Sequence, residues 1–181
     1  MADPAQWVMD TSAYTHFCRA GHAHIIQRLA PRGVVLIPQE VNDEIEKGRT
    51  KHSGITAVRD NDWTELVVLS EDERWTALQL KAALGGGTSQ HLGESAVIAC
   101  AHHRALTAVL DDRAAVEQAD QRGVPSIDTL WIVIEAYKSL YSGDRDKVIA
   151  VVDDLLETGM YLPFESGSSL IAWAWREGIL P

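Results

Sequence analysis

Gln6-Trp7-Val8-Met9-Asp10-Thr11-Ser12 is a short apolar run closed by an aspartate and two hydroxyl residues. In a strand-then-helix unit the carboxyl end of the strand borders the ligand crevice of an α/β sheet, so Asp10 is a candidate site residue. Asp, Thr and Ser also cap helices, and capping of a helix expected over Ala13 to Ala20 is the competing reading. Recurrence of acids at equivalent places along the chain separates the two.

Outward from this stretch, strands and helices alternate. Gly21 stops the first helix, a second covers Ala23 to Leu29, and Pro31-Arg32-Gly33 breaks it. Val34-Val35-Leu36-Ile37 has the aliphatic, β-branched character of a strand buried on both faces, and Pro38 ends it. A helix over Gln39 to Lys47 follows, then a polar segment to Asp62 read mostly as loop, with room for one helical turn. Thr64 to Leu69 is the next expected strand. Ser70-Glu71-Asp72-Glu73 is a capping box opening a helix to Leu84, which Gly85-Gly86-Gly87 halts. A helix over Glu94 to Arg104, a strand over Ala105 to Leu110, a helix from Asp111-Asp112 to Arg122 and a short strand at Pro125-Ser126-Ile127 complete the alternation. Parallel strands need crossover connections, which helices supply, so the expected fold class is α/β: a three-layer α/β/α sandwich on a central parallel sheet. Three further helices, over Thr129 to Tyr141, Asp144 to Glu157 and Ser168 to Arg176, break the pattern. The expected division is a domain over residues 1–140 and a helical C-terminal extension over 141–181 packed on it.

The chain has 181 residues, 46% hydrophobic and 23% charged, enough for one domain with a real core. No apolar run reaches the roughly 20 residues that span a bilayer, and the beginning lacks a basic segment followed by an apolar one, so no membrane partner is expected and the default location is cytoplasmic. Cys18 and Cys100 are isolated and read as buried small hydrophobes. A net charge of −10 argues against indiscriminate electrostatic binding of nucleic acid. It leaves room for a nucleic-acid enzyme, because carboxylates that bind cations count as negative until they are loaded.

Asp111 and Asp112 end a later strand and so lie at the same sheet edge as Asp10, while Glu94 stands in the first turn of its helix. Each acid alone has an ordinary explanation, as a cap or a partner of the helix dipole. Together they place several carboxylates around one crevice, where their repulsion costs stability unless cations neutralise it. Glu40 and Glu44 are one turn apart on their helix, and either could reach that edge. Ser-His-acid order, P-loop, GxGxxG and HExxH are absent, and the histidines read as structural or surface residues. Trp173 and Trp175 are alternate residues that point apart on a helix, so one would pack inward and the other could mark an interface, with core packing the preferred expectation for both.

On these residues the chain resembles PIN-domain proteins of the VapC-like toxin kind. Trp7 to Ser12 is similar to the opening strand with its Asp and hydroxyl residue. Ile37 to Gly48 (IPQEVNDEIEKG) is similar to the second motif and maps its acid to Glu44. Gly93 to Ala101 (GESAVIACA) resembles the third motif in the branch that begins Gly-Glu, and Leu110-Asp111-Asp112-Arg113 with Ala119 and Gly123 resembles the fourth, with Asp112 preferred to Asp111. The likeness covers about residues 5 to 140, and the helical tail is similar to the extension of the Gly-Glu branch. It implies a ribonuclease dependent on Mg²⁺ or Mn²⁺, hydrolysing RNA phosphodiester bonds, as the toxin of a toxin-antitoxin pair with a small antitoxin protein as partner. It also implies a homodimer. Asp10, Glu94 and Asp112, with Asp111 competing, would be metal ligands. Glu44 would be a ligand or position the water, and Thr11 or Ser12 would support the ligands from behind. The alternative is a PIN-like protein or RNA interaction module without catalysis; a further one keeps catalysis on DNA or another phosphoester.

Overall fold

A computed structural model describes residues 5–180, so residues 1–4 and 181 of the expected segments lie outside the described residues. Among the described residues five strands form one sheet, β1 (Trp7–Met9), β2 (Val35–Pro38), β3 (Thr64–Val67), β4 (Thr107–Val109) and β5 (Ser126–Ile127), in the order β3-β2-β1-β4-β5. Every pairing is parallel, with Trp7 opposite both Val35 and Thr107. The chain therefore winds outward in one direction through β2 and β3, then returns past β1 to lay down β4 and β5 on the other side. The carboxyl ends of β1 and β4 flank the point where the order reverses, the place at which open α/β sheets form their crevice.

The helices α1 (Thr11–Arg19), α2 (Ala23–Leu29), α3 (Gln39–Arg49), α4 (Glu71–Leu84), α5 (Leu92–Arg104), α6 (Arg113–Gln121) and α7 (Thr129–Ser139) make the crossovers and flanks of the expected α/β/α sandwich. The middle of the sheet explains itself chemically, since β1 and β2 are buried along their whole length. Helix α5 crosses β1, β2 and β4, and from Ser95 to Ala101 it is buried throughout; small residues such as Ala96, Ala99 and Ala101 let it lie close to the strands. Its low position brings the first turn, with Glu94, toward the reversal point. The capping box at α4 forms as expected, Ser70 Oγ accepting from the Glu73 N–H and Glu73 Oε2 accepting from the Ser70 N–H at 2.7 Å. Glu73 is buried and also takes two hydrogen bonds from Arg104, at 2.6 and 2.9 Å, which tie the start of α4 to the end of α5.

Helices α8 (Arg145–Glu157) and α9 (Gly167–Arg176) form the tail. Val148, Val151, Val152 and Leu155 of α8 join the same buried cluster as the sheet, and α8 packs against α1 and α7 while α9 packs on α8. Histidines of the first helices reach this tail: His22 Nε2 lies 2.7 Å from Asp154 Oδ2, and His16 Nδ1 lies 2.6 Å from Thr158 Oγ1. One tryptophan expectation is corrected. Trp173 packs against Phe164, but Trp175 is half exposed, with Arg145 stacked 4.1 Å from its ring centre. The two stand two positions apart on one helix, and a helical step of that size turns the second away from the core. Both cysteines are buried.

Candidate functional site

Asp10 follows β1 directly. Its backbone N–H donates to Val109 O at 3.2 Å, which extends the β1–β4 pairing by one step and sets Asp10 beside Leu110 and Asp111. The side chain caps α1, Oδ2 accepting from the Ser12 N–H at 3.4 Å, so the helix starts at Thr11 rather than near Ala13. Capping uses one oxygen only. Asp10 is 5% exposed, and its Oδ1 is buried with no hydrogen-bond partner. Loss of hydration first, then the negative charge of Glu94, push the Asp10 carboxyl up to about 8, and Glu44 adds to the rise; the N–H groups of Thr11 and Ser12 oppose it.

Glu44 is fixed by two elements at once. Thr11 Oγ1 donates to its Oε2 at 2.6 Å, and the Gly93 N–H donates to its Oε1 at 3.1 Å. Gly93 is needed for the approach: a Cβ there would lie 2.8 Å from Glu44 Oε2 and 3.1 Å from Asp10 Oδ1, so both carboxylates face the space that a side chain would fill. Glu40 is placed elsewhere, in a separate cavity of about 190 Å³ with Arg74, Lys81 and Leu92. Of the two glutamates left open by helical spacing, the fold brings Glu44 to Asp10.

A cavity of about 400 Å³ at the sheet's carboxyl edge is lined by Asp10, Ser12, Glu94, Asp111 and Asp112, with Arg113, Met160 and Tyr161. The two adjacent aspartates do different things there. Asp111 accepts from the Thr129 N–H at 2.8 Å and from Thr129 Oγ1 at 2.9 Å, one bond to each oxygen, which pins the start of α7 to the end of β4. Burial raises its pKa, while these bonds and the nearby Ser12 hydroxyl lower it. Asp112 caps α6 through Oδ1, which accepts from the Ala115 N–H at 2.9 Å, and it is exposed. Glu94 Oε1 lies 3.4 Å from His91 Nδ1.

These residues suit a hard divalent cation by the chemistry of their donors: carboxylate oxygens, one of them buried without a hydrogen-bond partner and crowded by two like charges. The side chains surround a shared space without closing on a common point; among the described residues no three acidic, histidine or cysteine groups converge as a ready-made coordination shell.

Four residues at the site were not picked out as candidates from the sequence. His91 stands three positions before Glu94, a spacing that could have signalled the contact. Arg113 directly follows Asp112. Met160 and Tyr161 carry no local signal, because only the path of the tail brings them to the crevice.

A protein-family model described as a PIN domain matches residues 6–173, which takes in the sheet, every acid described above and most of the tail. No curated protein matches the chain. PIN domains are typically nucleases that act on nucleic acid and generally use divalent metal ions. With its parallel sheet, its acids at the reversal point and a match over most of its length, the chain belongs to the PIN-domain family.

Proposed function

We propose that the protein is a metal-dependent endoribonuclease that hydrolyses RNA phosphodiester bonds with Mg²⁺ or Mn²⁺. The observation that carries this reading is Asp10, a buried carboxylate with an unpartnered oxygen, crowded by the negative charges of Glu94 and Glu44. Such crowding is costly in an apo site and becomes favourable when a cation is shared.

Asp10, Glu94 and Asp112 would hold the cation. When bound, it supplies Lewis acidity toward the phosphate oxygens and a lowered pKa for the attacking water. The protein's own residues orient the reaction. Glu44, fixed by Thr11 and Gly93, faces the same space as Asp10 and can orient the water or accept its proton. Asp111 has both oxygens engaged by Thr129 and so holds the crevice wall, while Asp112 keeps an oxygen free of its cap.

Asp10→Asn tests the assignment, since Asn preserves the cap and removes the charge. We expect Mg²⁺-dependent cleavage of single-stranded RNA to fall roughly a hundredfold or more, with circular dichroism unchanged. Cleavage at the parent rate would sink the assignment. RNA binding by a parent protein that never cleaves would favour the interaction-module reading.

The role of a toxin held by a small antitoxin protein rests on the resemblance of the four motifs, and a small antitoxin-like reading frame beside this one is the observation that checks it. A homodimer is supported by the same resemblance and by Trp75 and Leu78, exposed large apolar residues on one face of α4. No helix among the described residues is long and apolar enough to cross a membrane.

A further inference from the structure

We propose that Tyr161 is a nucleobase-stacking residue, through which the tail holds an unpaired base of the substrate strand beside the carboxylates; the proposal rests on the nuclease reading above. Tyr161 lies between α8 and α9 and lines the same cavity as Asp10, Glu94 and Asp112. It is 91% exposed, more than any other large apolar or aromatic side chain among the described residues, and it makes no hydrogen bond or ring contact there. Its neighbour Met160 is 5% exposed and belongs to the buried cluster, so the ring stands on an anchored base rather than on a loose loop. A tyrosine packed for stability would be covered. This one stands almost wholly in solvent at the edge of the crevice.

The electrostatics of the crevice give that ring a task. Most nucleic-acid binding draws its affinity from cations on the phosphates, yet this chain has a net charge of −10 and four of the eight residues lining the cavity are acidic. Arg113 is the one cation lining the cavity among the described residues, and its surface pairing with Glu117, at 3.1 Å with the arginine 93% exposed, is weak enough to exchange for a phosphate. Beyond the phosphates drawn to a bound cation and to Arg113, a strand at this site gains from an attraction that does not depend on charge. Stacking on an exposed aromatic ring is such an attraction and tolerates any base, but it requires a base whose face is not already covered in a duplex.

The test is equilibrium binding, in Mg²⁺, of a fluorescein-labelled 2′-O-methyl RNA strand roughly ten nucleotides long, of its duplex, and of a strand with the same backbone but abasic positions. Electrophoresis of each binding mixture checks that the strand is intact, so affinity is read apart from catalysis. Tyr161→Ala should weaken the single strand by about fivefold to a hundredfold, and Tyr161→Phe, which keeps the ring, should stay within about twofold of the parent. The abasic strand should bind the parent and Tyr161→Ala alike. Equal affinity of parent and Tyr161→Ala for the intact strand, or a Tyr161→Phe variant as weak as Tyr161→Ala, overturns the proposal. Cleavage of unmodified RNA, measured alongside, separates the two readings. A parent that cleaves with no dependence on Tyr161 leaves the nuclease standing and removes the stacking role, whereas ring-dependent binding with no cleavage removes the nuclease.

Discussion

Adjacent aspartates at the end of β4 show how one residue type is put to two uses by its neighbours. Asp111 spends both oxygens on Thr129, whose N–H and hydroxyl are fully buried, so Asp111→Ala strands two donors and should cost roughly 1–3 kcal/mol of stability. Asp112→Ala loses a cap worth about 1 kcal/mol, but it removes the acid with an oxygen left for the cation, so cleavage should fall far more than stability. Paired urea melts and RNA-cleavage rates check the contrast; equal and mild losses of cleavage in both would show that neither aspartate serves the cation. Asp10 was legible as a site candidate because its place at a strand end is a local feature of sequence. What the sequence could not separate was cap from site. Asp10 caps α1 through Oδ2 and keeps Oδ1 without a partner, and only the approach of α3 and α5 brings Glu44 and Gly93 to that side of the carboxylate.

Elements announced by local chemistry were read closely. The capping box at Ser70, the aliphatic run into β2 and the glycines after helices fixed starts and stops to within a few residues, as short-range hydrogen bonding does not depend on the rest of the fold. Pairings between elements were not legible. Glu73 looked like a capping residue alone, yet Arg104, far along the chain, donates two hydrogen bonds to it and, with the Ser70 N–H, holds its pKa down to about 2 despite burial. Because this acid is lowered on folding, its contribution is fully present above the unfolded value of 4.5 and is lost as pH falls through about 2. Thermal melts across that window should show Glu73→Gln with a flatter acid limb than the parent, and Arg104→Ala, whose guanidinium is partly screened by solvent, should cost about 1–2 kcal/mol at neutral pH. An acid limb unchanged in Glu73→Gln would mean that the pair does not link α4 to α5 in solution.

Across the whole molecule, the order β3-β2-β1-β4-β5 places the candidate acids at one edge, where Met160 and Tyr161 of the tail join them. Alternation of strands and helices made the parallel sheet legible, since only crossovers can connect parallel strands. The tail's part in the site was not, because Met160 and Tyr161 reach the crevice through packing of α8 on α1 and α7, a long-range matter of shape. The exposed apolar side chains of α4, Trp75 and Leu78, belong to the same scale: light scattering at micromolar concentration should give twice the chain mass, and a monomer mass would remove the dimer. Coordination of a divalent cation by Asp10, Glu94 and Asp112 is tested most directly by calorimetric titration of Mn²⁺ into the parent protein and into Glu94→Gln and Asp112→Asn. Binding by the parent should be saturable and should weaken roughly tenfold to a hundredfold in each variant. A parent that takes up no Mn²⁺, or variants that bind it as the parent does, would contradict it.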